Sequence, residues 1–198
     1  MRNKIILAMT AAGMMCATSA FAADAGSGTI NFTGSVIEAP CSIVPDSQNI
    51  QVNLGQVSAK SLTNAETTSS AVPVTINLTG CSFDAPQQGN TDIKYSKVAV
   101  VFPDAQAPEA GDGTLDKGEI KNMAQGTSAA GKVAIQLLKS DASTPVDLTK
   151  TTPTDGDIQL DTTSSGNQLK FFARMISVAG GATPGNVSAK VTYKLKYF

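Results

Sequence analysis

Histidine and tryptophan are absent from this 198-residue chain, aromatic residues make up only 5% of it, and cysteine occurs three times. Without an imidazole poised near neutral pH, activation of a nucleophile by a Ser-His-Asp or Cys-His arrangement is excluded. Three cysteines and no histidine are too few ligands for a zinc site, so a metal would have to rest on carboxylates alone. Charge is sparse and balanced: 15 basic residues stand against 16 acidic ones with no basic block, which leaves no electrostatic footprint for nucleic acid. Carboxylate pairs such as Asp155 and Asp157 lie in a polar loop and read as solvated groups rather than an acid–base pair. No enzyme activity, metal or other cofactor is expected.

Long apolar runs are missing as well, apart from one near the start. Arg2 and Lys4 precede an apolar stretch from Ile5 to Ala17, and Ala20-Phe21-Ala22 supplies the small-x-small pattern of a signal-peptidase site. Residues 1–22 are therefore expected to be a secretory signal; the stretch is broken by Thr10 and Gly13 and is too short for a stable membrane span. Cys16 lies inside this signal, and Met15 stands where a lipid-attachment site would need a small residue. Removal of the signal leaves 13 basic and 16 acidic residues, a net charge of −3, and two cysteines, Cys41 and Cys81. In a chain addressed to an oxidising compartment, a Cys41–Cys81 disulfide is the default expectation.

What remains is rich in Thr, Ser, Gly, Ala, Val and Asn, and it repeats short alternating runs. This is the signature of an all-β protein. Strands are expected over residues 29–38, 49–57, 72–81, 94–102, 132–138, 167–177 and 186–198. Between them, 103–118 and 145–156 carry the Pro, Gly and Asp content of loops, and 59–70 could form a short helical turn. Seven strands at this spacing suggest a Greek-key sandwich in a single domain. Such a fold could serve an adhesin, an inhibitor, a binding module or a structural subunit.

The two ends of the chain narrow that choice. Residues two apart share a face of a strand, so Gly26, Gly28, Ile30, Phe32 and Gly34 lie on one side and Ser27, Thr29, Asn31 and Thr33 on the other. Taken alone, this pattern also fits an ordinary first strand behind a loose terminus. At the other end, Val187, Ala189, Val191, Tyr193, Leu195 and Tyr197 alternate strictly with polar residues up to Phe198. The phrase Gly28-x-Ile30-x-Phe32-x-Gly34-x-Val36-Ile37, running into Ala39-Pro40-Cys41-Ser42-Ile43, resembles the N-terminal extension and first strand of the major pilins of the type 1 and P pilus family. Leu54-Gly55-Gln56-Val57, Asn77-Leu78-x-x-Cys81, Val133-x-Ile135-Gln136-Leu137-Leu138, Phe172-Ala173-Arg174 and Ala182-Thr183-Pro184-Gly185 follow in the family's order. The family is also marked by a penultimate tyrosine and a glycine fourteen residues from the end, places held here by Tyr197 and Gly185.

The resemblance implies an incomplete immunoglobulin-like β-sandwich that lacks its last strand and is completed by a donor strand from another subunit. It implies three segments: the signal at 1–22, a donor-strand extension at 23–34 and a pilin domain at 35–198. The donor residues would be Gly28, Ile30 and Phe32. The acceptor edge, which would also bind the chaperone, would comprise Gly185, Tyr193, Leu195, Tyr197 and Phe198 with its terminal carboxylate. The implied partners are other pilin subunits in a homopolymer, a periplasmic chaperone and an outer-membrane usher, with host-surface contact made through the assembled fibre. The implied function is a structural subunit of a surface fimbria, exported through the periplasm, that supports adhesion. The alternatives are a minor adaptor and a single-domain adhesive subunit of the same kind of pilus.

Overall fold

A computed structural model of the chain describes residues 28–34, 36, 39–83, 95–109, 113–154 and 157–198. The expected signal at 1–22, Cys16 within it, and residues 23–27 of the expected extension lie outside the described residues, as does Asp155. The chain divides into two compact units, Met1–Ile37 and Glu38–Phe198.

Among the described residues of the larger unit, eight strands form two sheets: β1 (Ser42–Ile43), β2 (Val72–Thr79), β3 (Lys97–Val101), β4 (Glu119–Lys121), β5 (Val133–Leu138), β6 (Ile158–Gln159), β7 (Gly166–Ser177) and β8 (Lys194–Tyr197). Five are ordered β1-β2-β7-β5-β4 and three β6-β3-β8. All neighbours pair antiparallel. The helical content of the described residues is three 3₁₀ turns: Pro45–Ser47, Ala59–Leu62 and Leu115–Lys117. The second of these falls within the segment expected to turn.

The twelve-residue β7 is the spine of the larger sheet. It pairs with β2 from Val72↔Ala173 to Thr79↔Gly166 and with β5 from Val133↔Ser177 to Leu138↔Phe172. Its alternation sends Leu169, Phe171, Ala173 and Met175 to one face. There the first three join Ile76, Leu78, Leu137 and Val98 in the main core. Met175 continues that face into a second cluster with Leu62, Ala130 and Val133. Cys41 and Cys81 form a disulfide that clamps the open end of the β1–β2 pair, where Ser42 stands opposite Thr79.

The strands expected over 72–81, 94–102 and 132–138 are present in slightly trimmed form, and that over 167–177 is present with one residue added at its start. Three others depart from expectation. The described residues of 29–38 form no strand, 49–57 forms no ladder and turns at Gly55, whose φ is 70°, and in 186–198 only Lys194–Tyr197 is laddered. A ladder needs a partner as well as a pattern, and alternation reports only which face is buried. Two short strands, β4 and β6, arose where the sequence had no periodicity to show. β4 opens at Glu119, which is 1% exposed and accepts the Thr114 N–H at 2.7 Å on Oε2, with burial pushing its carboxyl upward.

Candidate polymerisation edge

The last strand carries the open side of the fold. Phe198 accepts the Lys97 N–H at 3.0 Å and donates its own N–H to the Lys97 carbonyl at 3.1 Å. The two residues are thus a hydrogen-bonded antiparallel pair, and in such a ladder the next pair, Val98↔Tyr197, turns its backbone groups away from the partner. By the same parity Lys194 and Lys196 face β3, while the N–H and C=O of Leu195 and Tyr197 point to the other edge. That parity continues upstream. The Thr192 N–H is taken by Asp104 Oδ1 at 2.7 Å, and Ser188 gives its N–H to Asn122 Oδ1 at 3.0 Å and its carbonyl to the Met123 N–H at 2.7 Å. Among the described residues, the backbone groups of Val187, Ala189, Val191 and Tyr193 have no hydrogen-bond partner, and neither have those of Lys190, where the parity lapses.

The same odd-numbered residues aim their side chains at the core. Ala189, Val191, Tyr193, Leu195 and Tyr197 pack on the main cluster and Val187 on the second, and each is only partly buried. A second segment, 49–57, also makes no backbone ladder among the described residues, and its Ile50, Leu54 and Val57 are partly buried on these same two clusters. Two unladdered segments thus lie over the same two incompletely covered clusters. The Tyr193 hydroxyl ties the two sides together by donating to the Ser47 carbonyl at 2.6 Å. The Tyr197 hydroxyl, by contrast, is buried with no hydrogen-bond partner among the described residues, and its ring meets Tyr95 edge-on at 6.5 Å between centroids. Burial, with Tyr193 adding to it, pushes that hydroxyl up to about 12.

Of the residues expected on this edge, Tyr193, Leu195 and Tyr197 lie in one row. Phe198 has the opposite parity: its backbone is spent on β3, and the same carboxylate oxygen also accepts the Ser96 N–H at 3.0 Å. Gly185 lies beyond the row, next to the parallel bridge Ala129↔Asn186. A Cβ there would come within 2.4 Å of the Ala129 carbonyl carbon and the Ala130 nitrogen, so the glycine is needed for a close backbone crossing. The sequence reading did not single out Val187, Ala189 and Val191 as edge residues, although their alternation was visible. Ile50, Leu54 and Val57 were not expected beside this edge either, although a strand was expected over 49–57.

The described part of the smaller unit, residues 28–34 and 36, is unladdered and exposed throughout. Ile30 is 77% exposed and Phe32 90%, and Gly28 has nothing within 4 Å of where a Cβ would sit. Val36, of the same parity, is 104% exposed, and Gly34 falls between. The apolar row therefore extends two positions beyond the end expected at residue 34. Three large apolar side chains held fully in water are uncommon without a partner surface.

Comparison with known proteins identifies the family. A family model described as "Fimbrial protein" matches residues 30–198. The chain belongs to the fimbrial protein family. This fimbrial protein is 32% identical over 197 residues to the major MR/P fimbria protein of Proteus mirabilis (strain HI4320), covering 98% of both chains. It is 36% identical over 191 residues to the uncharacterized fimbrial-like protein YgiL of Escherichia coli (strain K12), covering 96% of both. Among solved structures, its fold resembles a subunit of a chaperone–usher pilus whose structure addresses rod uncoiling, with a TM-score of 0.62, 24% identity and coverage of 88% of this chain and 97% of the other. The P pilus rod subunit PapA follows with a TM-score of 0.53 and 23% identity, over 81% of this chain and 100% of the other. The fold is thus all-β, an immunoglobulin-like sandwich lacking a strand.

Proposed function

We propose that this fimbrial protein is a structural pilus subunit that polymerises by strand exchange, with residues 23–36 of one copy filling the vacant position beside β8 of the next. The observation that carries this reading is the parity of the last strand. Its odd-numbered residues expose unpaired backbone groups sideways and half-cover the core with their side chains. An extended chain added there would take up both at once, with main-chain bonds for affinity and alternate side chains for pockets. The exposed row Ile30, Phe32 and Val36 has the matching period of two. Burying Ile30 and Phe32 in this way would contribute about 1.5–3 kcal/mol each.

Donor and acceptor are different surfaces of one chain, so the contact is heterologous and does not close on itself; it propagates into a filament. Before assembly, the same edge would be an aggregation hazard. A periplasmic chaperone lending a strand of its own, and an outer-membrane usher exchanging it for the next subunit's extension, would answer that hazard. Export would use the signal at 1–22, placing the finished fibre on the cell surface.

The test is a chain lacking residues 23–34, co-expressed with the chaperone and examined by negative-stain microscopy. It is expected to fold, to be recovered with the chaperone and to give no fibres; fibres from this truncation would overturn the donor assignment. In cells lacking the whole chain, loss of all fibres is expected for a major subunit, and shortened but otherwise normal fibres would assign it to a minor adaptor position.

A further inference from the structure

The outward face of the three-stranded sheet gathers positive charge. Lys190, Thr192, Lys194 and Lys196 are exposed, while Val191, Tyr193 and Leu195 between them pack on the main core, so the three lysines share one outer row. On β3, Val98 lies in the core, which turns Lys97 to the same outer face, where its Nζ stands 5.9 Å from the centre of the Phe198 ring. From Lys190 to Lys196 the row spans about 20 Å of extended chain. None of these four lysines makes an ion pair; among the described residues the ion pairs are Lys117–Glu66 and Lys121–Glu109. Lys196 donates from Nζ to the Thr151 carbonyl instead. Two carboxylates border the face, and both are engaged by neighbouring groups: Asp104 by the Thr192 N–H and hydroxyl, Asp157 by the Thr154 N–H. Elsewhere the chain after residue 22 keeps 9 of its 13 basic residues against 14 of its 16 acidic ones, so charge is segregated by the fold.

We infer that this row, Lys97, Lys190, Lys194 and Lys196, is a docking surface for a linear acidic polysaccharide. Like charges held on one face repel one another, and without carboxylate partners in the fold their field favours an anionic ligand. The chemistry of the row selects the class of ligand. Among the described residues the large apolar side chains left exposed are Ile30, Phe32, Val36 and Val52, none of them in β3 or in residues 190–198. A protein partner needs an apolar or aromatic centre to its interface, a membrane needs apolar side chains that insert, and a single-stranded nucleic acid needs aromatic platforms for its bases. An acidic glycan needs cations spaced along a line. Lysine suits that need, because its ammonium is a compact point charge that imposes no bidentate geometry. The row is hidden in the sequence because an inward residue separates each outward one from the next, so no basic block forms. It is present in a single chain; only its repetition along a fibre, where weak contacts to one long polymer would add up, rests on the strand-exchange reading.

The test is a titration with fluorescently labelled heparin, on purified fibres or, where none form, on the soluble mature chain. The row is altered by Lys190→Gln/Lys194→Gln, two exposed residues whose side chains make no hydrogen bond among the described residues. Lys139→Gln/Lys170→Gln, at the end of β5 and on β7, removes the same charge from exposed positions of the other sheet and serves as the comparison. The wild-type protein is expected to bind heparin at about 50 mM salt and to lose affinity steadily as salt rises. The row variant is expected to bind about 5- to 30-fold more weakly, the scale set by two lysines at an anionic surface, with a shallower dependence on salt, while the comparison variant stays within about twofold of wild type. Equal binding by the row variant, an equal loss in the comparison variant, binding indifferent to salt, or no heparin binding by wild type would each overturn the inference. Tighter binding of wild type to phosphatidylserine-containing vesicles or to single-stranded DNA than to heparin would overturn it too, by assigning the face to a different partner. The row variant is expected to form normal fibres. Absence of fibres from the wild-type chain would count against strand exchange, and the heparin titration on the mature chain would still decide the row.

Discussion

Gly185 shows how one position can be marked in a sequence for one reason and needed in the structure for another. Its place fourteen residues from the end suggested the acceptor edge, yet its neighbours are the backbone of Ala129 and Ala130, with less space than a methyl group needs. Backbone on both sides cannot give way as a flexible side chain can. Gly185→Ala should therefore cost about 1–3 kcal/mol, the usual penalty for overpacking, and appear as a fall of several degrees in Tm relative to wild type. An unchanged Tm would mean that the crossing at Ala129 relaxes freely. Tyr193 and Tyr197 make the complementary point. Both are inward aromatics of one strand, and both hydroxyls are pushed up by burial, but one has a partner and the other has none.

The stretch 187–193 is held in line by side chains rather than by a ladder. Asp104 is the main clamp, accepting the Thr192 N–H and, at 2.6 Å, the Thr192 hydroxyl. Those bonds hold its carboxyl below the usual range, with Lys190 adding a smaller pull in the same direction. A carboxylate whose folded value is lowered contributes stability that is present above its unfolded value, roughly pH 4, and is lost as pH falls through the folded one. Asp104→Ala should remove that contribution. At pH 7 its amides over 187–193 should exchange faster than in wild type while those of β7 do not, and its loss of stability on acidification below about pH 4 should be shallower. Equal protection of 187–193 in the two proteins would show that core packing alone holds the segment. A clamp of this kind fixes one side of the segment and leaves the backbone groups of the other side unpaired among the described residues, as the proposed strand exchange requires.

Across the whole sandwich, the Cys41–Cys81 bridge closes the β1–β2 pair over a separation of 40 residues and encloses the unladdered 49–57 segment. In the chain-entropy account a loop of this size is worth about 4 kcal/mol. That is a large share of the ~5–15 kcal/mol that a domain holds in total, and more than usual for one missing a strand from its core. Replacing both cysteines by alanine should lower the denaturant midpoint and, because the released unfolded chain exposes more surface, steepen the slope, and should reduce fibre yield; an unchanged midpoint would show that β1 is held by its ladder alone. Much of this molecule was legible from residues. The alternation of Leu169, Phe171, Ala173 and Met175 marks a strand with one buried face, the cysteine count points to the bridge, and Ile30 and Phe32 stand out as apolar residues on an isolated terminal segment. Local chemistry suffices for these because period, composition and cysteine pairing are properties of short segments or of simple counts. Which edge stays open was not legible in the same way. Residues 49–57 and 187–193 look like strands by pattern, but whether their N–H and C=O groups find partners depends on segments far away in sequence. The folded chain alone settles that the backbone groups of Ser188, Lys194, Lys196 and Phe198 and the Thr192 N–H are taken by Asn122, Met123, β3 and Asp104, while among the described residues those of Val187, Ala189, Val191 and Tyr193 have no partner, because a ladder is a property of two strands and a sequence read along its length shows only one at a time.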